Sequence, residues 1–208
     1  MKSNTSKQRV IDAALSLFYQ KGFHGTSVRD IATKASVNLS LISYYFKGKQ
    51  GLLEYAVTRY YEDYLETIEE TIQEYETEKP VEKLKKLITS IIQYKHKNYQ
   101  ISCFIHRELS IDSVFVREVS VTYLAKENHL LKSILTETME QHESLKLNHH
   151  FLFMQLKGML ITPYLLQHEW KSYTSNDYSH QKFIKNYVKV IHKWIDFIFE
   201  QAKEKTTT

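Results

Sequence analysis

One cysteine in 208 residues leaves Cys103 without an intrachain disulfide partner, which fits a reducing compartment. Only two prolines and five glycines interrupt the chain, and alternation of apolar and polar residues is nearly absent. Sheet folds are thereby excluded, and apolar positions recurring every three to four residues predict an all-α fold. Four of the glycines, Gly22, Gly25, Gly48 and Gly51, fall in the first quarter, where short helices need tight turns; beyond them only Gly158 remains. No long hydrophobic run exists either. The most apolar stretch, 159–166, contains Pro163 and is too short to span a bilayer. The start MKSNTSKQ lacks the apolar core of a signal peptide, so a soluble, cytoplasmic protein with no membrane partner is expected.

Charge is unevenly spread. Residues 1–51 carry eight Lys or Arg against two Asp, whereas residues 52–208 carry twenty against twenty-two Asp or Glu. A basic head on a near-neutral body concentrates attraction for a polyanion at one end, although an ordinary solvated basic face has the same composition.

The basic head holds the most informative stretch, TSVRDIATKASVNLSLISYYFKGKQG at 26–51. Thr26 or Ser27 can cap a short helix in which Ile31 and Ala32 face a core while Arg29 and Lys34 stay in solvent. After the turn at 34–37, Asn38 caps a second helix through Tyr45. Val37, Ile42 and Phe46 form its buried side, with Leu39, Ser40, Leu41, Tyr44 and Tyr45 largely outward. An eight-residue helix needs neighbours to hold it in water. Its outward aromatics, followed at once by Lys47 and Lys49, suit a surface that meets DNA, one helix in the groove and lysines on phosphates. The spacing is that of a helix-turn-helix with its recognition helix at 38–45.

The run GFHGTSVRDIATKASVNLSLISYYFKGKQGLL resembles the DNA-binding domain of the TetR family of bacterial transcriptional regulators. It departs from the family pattern at Ser36, where the turn usually has Gly, and at Ser40 and Ser43. The resemblance implies that Leu39, Ser40, Tyr44 and Tyr45 face the groove and that Thr26, Ser27, Lys47 and Lys49 bind phosphates, with Arg29 and Asn38 in the same contact set. It also implies a homodimer on palindromic double-stranded DNA, associated with the nucleoid. A small-molecule effector of unknown identity in the body is a further implication.

Ahead of this stretch, residues 1–5 read as a polar arm and 6–21 as a first helix. A long helix from Gly48 to about Tyr75 follows and reads as the lever between head and body. The domains are then 1–47, the helix-turn-helix domain, and 48–208, a helical regulatory and dimerisation domain with 48–75 as linking helix. Apolar stripes predict further helices at 81–97, 99–110, 112–144, 151–167 and 179–203, with 168–178 a loop. Pro163 must kink or end its helix. The last two helices are apolar over more than one side, more than a single-chain core can satisfy. Phe151, Met154, Gly158, Ile191, Trp194, Ile195 and Ile198 are therefore expected at a dimer interface. Gly158 fits either a close approach of the partner or a tight contact within the chain. Phe104, Phe115, Tyr123, Met154, Met159 and Tyr164 could line an effector pocket or be plain core.

Catalytic chemistry has little support. No G-x-S-x-G, phosphate-binding loop or dinucleotide fingerprint occurs, and the ten histidines, His142, His149, His150 and His168 among them, show no metal-ligand spacing. The expectation is a non-enzyme without metal or cofactor. The segment HRELSIDSVFVREVS places Arg107, Glu108, Arg117 and Glu118 inside apolar helical stretches. They are either a structural ion-pair network or a charged partner and switch surface. ISYYFKGKQGLLE, this charged segment and QLKGMLITPYL are together similar to a TetR-type regulator of the division protein FtsZ in spore-forming bacilli, which implies FtsZ as a partner. A helical protein-interaction module without specific DNA binding remains the alternative of another class.

Overall fold

The computed structural model describes residues 2–108, 114–142, 147–166 and 180–204. Those residues form helices α1 (Lys2–Lys21), α2 (Val28–Ala35), α3 (Leu39–Phe46), α4 (Lys49–Glu74), α5 (Pro80–Lys97), α6 (Tyr99–Glu108), α7 (Val114–Val119), α8 (Ala125–Glu140), α9 (His149–Leu165) and α10 (His180–Glu204). A π-helical turn, Ser120–Leu124, joins α7 to α8. No strand occurs among the described residues.

Two expectations change. Residues 2–5 belong to α1 rather than to a free arm; nothing in KSNT breaks a helix, and lengthening an existing helix avoids the cost of a new nucleus. The single helix expected from 112 to 144 is interrupted by the π turn, which holds the β-branched Val121 and Thr122, residues of lowered helix propensity. The start of that helix at residues 112–113 and the loop at 168–178 lie outside the described residues. Pro163 sits within α9, which ends two residues later at Leu165.

The chain divides into two compact units. The first is Met1–Asp63 with Asn98–Ser110, so the reading head incorporates the front of α4 and all of α6. Val10, Ala14, Phe18, Ile31, Ile42, Phe46, Leu52 and Phe104 make its core, each almost fully buried. Burying one such large side chain contributes roughly 1.5–3 kcal/mol. In this unit α1 packs on α2 and α6, and α2 on α3. Tyr60 and Ser102 share a buried hydroxyl hydrogen bond at 3.0 Å, and the rings of Phe18 and Phe104 stack at 5.5 Å.

The second unit is Tyr64–Lys97 with Ile111–Thr208. Helix α5 is its axis, packing on α8, α9 and α10 through Leu84, Leu87, Ile88, Ile91 and Ile92. Two charges, Glu127 and Lys95, are buried with them, and a third, Lys157, is half-buried. Glu127 accepts hydrogen bonds from the Tyr64 hydroxyl and the Lys157 ammonium, both at 2.7 Å, while Lys95 Nζ lies 3.8 Å away and over the Tyr64 ring. Burial alone would raise the Glu127 carboxyl, but Lys95, Lys157 and the two hydrogen bonds outweigh it and hold it at about 2. Burial pulls Lys95 down to about 8 against the attraction of Glu127.

Candidate nucleic-acid interface

Local chemistry sets both short helices of the head. Helix α2 starts at Ser27, whose hydroxyl accepts from the Asp30 N–H at 3.1 Å while the Asp30 carboxylate accepts from the Ser27 N–H at 3.0 Å. This reciprocal box satisfies two donors at the helix start. Hydrogen bonds from the Ser27 hydroxyl and then its N–H hold the Asp30 carboxyl below its ordinary value. Helix α2 ends at Ser36 in the left-handed region, φ 52°, with Ser36 N–H donating to the Thr33 carbonyl and Val37 N–H to the Ala32 carbonyl. This pair of bonds reverses the chain into Asn38. A left-handed L-residue costs roughly 1–2 kcal/mol, partly offset by glycine's extra unfolded entropy. Ser36→Gly is therefore expected to stabilise the protein by about 0.5–1 kcal/mol, read as a higher urea midpoint. An unchanged or lower midpoint would mean that the serine side chain compensates the strain.

Asn38 caps α3, its Oδ1 accepting from the Ser40 N–H and hydroxyl, each at 2.9 Å. The helix runs Leu39–Phe46, one residue later than expected. Ile42 and Phe46 hold it from behind, fully buried, while Leu39, Ser40 and Tyr44 are exposed and Tyr44 is 79% accessible. Tyr45 is half-buried, its ring edge-on to Tyr44 at 5.2 Å and to Phe46 at 6.0 Å. Lys47 ends α3 in the left-handed region, φ 58°, with an exposed side chain. At Gly51 an added Cβ would lie 2.0 Å from the Phe46 carbonyl oxygen, so only glycine fits where α4 crosses the end of α3.

Of the expected DNA contacts, Ser27, Arg29, Asn38, Leu39, Ser40, Tyr44 and Lys47 have exposed side chains. Thr26 and Lys49 are engaged elsewhere. Thr26 is buried, its hydroxyl donating to the Gly22 carbonyl at 2.8 Å. The Lys49 ammonium donates to the Phe23 and Thr26 carbonyls, both at 2.8 Å, above the Phe23 ring. No helix spacing announces this. Lys7 also stacks on an aromatic surface, 4.1 Å from the Tyr55 ring centroid.

The remaining expected sites divide. Arg107 belongs to the first unit and donates to the Phe18 and Tyr19 carbonyls at 2.8 and 3.2 Å, and Glu108 is half-buried beside it. Arg117 and Glu118, in the second unit, are exposed. On α9, Phe151, Met154 and Gly158 face outward, Met154 64% accessible, and a Cβ at Gly158 would meet nothing within 4 Å among the described residues. On α10 the expectation needs correcting. Ile191 and Ile195 lie on the side that packs against α5, with Ile195 fully buried, and a side chain without surface in one protomer cannot meet a second. Val190 and Phe197 are the exposed pair, with Trp194 and Ile198 half-buried. Of the expected pocket residues, Phe104 belongs to the first unit, Met154 is exposed, and buried Tyr164 donates its hydroxyl to the Ile92 carbonyl. No trio of His, Cys, Asp or Glu suited to a metal ion occurs among the described residues. No helix among them is long and apolar enough to cross a membrane.

The family of bacterial regulatory proteins of tetR type matches residues 10–56, the stretch from α1 through the front of α4. The probable HTH-type transcriptional regulator YttP of Bacillus subtilis (strain 168) is 42% identical over 200 residues, 96% of each chain. Among solved structures, the TetR family transcriptional regulator PfmR from Thermus thermophilus superposes with a TM-score of 0.72 at 18% identity, over 92% of this chain and 97% of that one. FadR from Bacillus subtilis, in complex with stearoyl-CoA, gives 0.64 at 20% identity, over 88% and 96%. At such identities the two structures establish the fold alone. With the helix-turn-helix matched to the family and a relative aligned along nearly its whole length, the chain belongs to the TetR family of bacterial transcriptional regulators.

Proposed function

We propose that the protein binds specific palindromic duplexes as a homodimer, with α3 as reading helix. The supporting observation is the two-faced build of α3: Ile42 and Phe46 hold it from inside while Leu39, Ser40 and Tyr44 stand exposed. Tyr and Leu make apolar contacts with thymine methyl groups and few bidentate hydrogen bonds, so much of the discrimination comes from shape and apolar fit. Ser27, Arg29 and Lys47 supply phosphate contacts. Selecting bound duplexes from a random library tests the reading: a recovered palindrome supports it. No enriched sequence at low and moderate salt would leave a helical module that binds acidic protein partners.

Two copies pair through the outer faces of α9 and α10, the 48–208 segment acting as dimerisation and regulatory domain. The exposure of Phe151, Met154 and Gly158 on α9 and of Val190 and Phe197 on α10 supports this. Met154→Glu with Phe197→Glu is expected to give folded monomers by sedimentation at micromolar concentration, because both charges enter the interface. A dimer that persists moves the interface elsewhere. A charge at Ile195, in contrast, should unfold the protomer.

Two finer readings follow. The fold it shares with FadR, whose solved structure holds stearoyl-CoA, supports a small-molecule effector. A groove of about 460 Å³ between α5, α8 and α10 is rimmed by charges already paired, Lys85 with Glu82 and Asp196, and does not suit an acyl chain. The second reading is that DNA-bound dimers act on FtsZ-ring assembly, which rests on the similarity of the head and of the Arg107–Glu118 segment to the FtsZ regulator RefZ. Mapping the selected palindrome onto the genome separates promoter sites from sites placed for division.

A further inference from the structure

Two of the basic residues that read as surface charges are turned inward onto one short segment. The Lys49 ammonium, from the first residue of α4, donates to the carbonyls of Phe23 and Thr26 at 2.8 Å each, 4.2 Å above the Phe23 ring. The Arg107 guanidinium, from the last turn of α6, donates to the carbonyls of Phe18 and Tyr19 at 2.8 and 3.2 Å. These carbonyls bracket the turn between α1 and α2. Thr26 closes the turn from within through its bond to the Gly22 carbonyl, and Phe23 packs on Phe18, ring centroids 5.6 Å apart, which in turn stacks on Phe104 of α6. Ser27 follows at once and starts α2, and the reversal at Ser36 carries α2 into α3.

We infer that Lys49 and Arg107 are positioning residues for DNA recognition: two cations that clamp the carbonyls of the α1–α2 turn and so set the angle at which α3 is presented. The physical basis is the strength of charge-assisted hydrogen bonds, roughly twice that of neutral ones, together with their number. Five carbonyls between Phe18 and Thr26 each accept from a side chain, four of them from the two cations. A lysine with two of its three donors spent on carbonyls is poorly placed to neutralise a phosphate as well. The free N–H groups at the start of α4 remain available for one without it.

The inference rests on the DNA-binding reading and is separable from it. With the selected duplex in hand, Lys49→Gln and Arg107→Met are compared with the unmodified protein by fluorescence anisotropy at several salt concentrations. The temperature is one at which circular dichroism shows all three fully folded. A positioning residue loosens α3, so operator affinity is expected to fall about tenfold while affinity for scrambled duplex stays within about twofold and the salt slope is unchanged. Arg107→Lys, which can still donate to the Phe18 carbonyl, should recover most of the loss. In the free protein, amide exchange of residues 22–28 should accelerate in both variants while the α1 core stays protected. A uniform loss on both duplexes with the slope of Lys49→Gln lowered by about two, one phosphate contact per protomer, overturns the inference for Lys49 and makes it a phosphate contact. Unchanged operator affinity in a folded Arg107→Met overturns it for Arg107. Unmodified protein that selects no duplex at all removes both readings together.

Discussion

Replacing Glu127 with alanine is expected to cost about 3–5 kcal/mol and to leave a body that melts before the head. The carboxylate is 2% accessible and receives the Tyr64 hydroxyl, the Lys157 ammonium and the charge of Lys95, itself 2% accessible. Without it the Lys95 and Lys157 ammonium groups lose the carboxylate they share, and the Tyr64 hydroxyl loses this acceptor. The loss therefore exceeds what the deleted atoms contribute by packing. Burying charges is not in itself stabilising. A variant with Lys95→Met, Glu127→Leu, Lys157→Met and Tyr64→Phe together should regain most of the loss, because every desolvated polar group goes at once. Denaturation in urea measures both. A Glu127→Ala loss under about 1 kcal/mol would mean that water reaches the site.

The same cluster sets a pH dependence whose signs differ at the two ends. Glu127 titrates at about 2 in the folded chain against an ordinary 4.5. Its contribution, about 3 kcal/mol, is present above pH 4.5 and lost as pH falls toward 2. Lys95 titrates at about 8 against 10.5. The unfolded chain binds the extra proton between those values, so the Lys95 contribution to stability rises with pH across that window. Lys95→Met should abolish that rise, and Glu127→Gln the acid limb.

The head was readable because its instructions are local. A capping serine with Asp three residues on, an asparagine before LSLISYYF and apolar residues at Ile31, Ile42 and Phe46 each act within one turn of themselves. Helix α10 was not readable in the same way. Its apolar residues surround the axis, and only the placement of α5 decides that Ile191 and Ile195 are core while Val190 and Phe197 are surface. The Glu127 cluster was missed because its members come from four helices. A faint signal existed: Lys95 continues the stripe of Leu84, Leu87, Ile88, Ile91 and Ile92, and Glu127 stands four residues before Leu131 on the buried side of α8. A charge in register with a core stripe is a candidate for burial. Lys49 and Arg107 gave no such sign, since backbone carbonyls as partners leave no trace in side-chain patterns.

Tyr44→Ala is expected to leave the fold nearly intact and to lower affinity for the selected palindrome by about 30-fold or more, because a base contact worth about 1–3 kcal/mol is lost at each of the two half-sites. The two consequences separate because the ring is 79% accessible and packs edge-on against its neighbour Tyr45, so truncation creates no cavity. Surface changes of that kind shift stability by no more than about 0.5 kcal/mol. Affinity for scrambled duplex should hold, since non-specific binding is carried by cations on phosphates, which Tyr44 does not supply. Tyr45→Ala makes the useful contrast. It removes a half-buried ring packed on Phe46, so operator binding and thermal stability should fall together. Tyr44→Phe then identifies the chemistry of the contact. Retained affinity assigns the ring to an apolar surface such as a thymine methyl group, and lost affinity assigns the hydroxyl to a hydrogen bond with a base edge. Equal losses on palindrome and scrambled duplex for Tyr44→Ala would place this ring on the backbone, and an unchanged affinity for both would turn α3 around so that Leu39 and Ser40 alone face the bases.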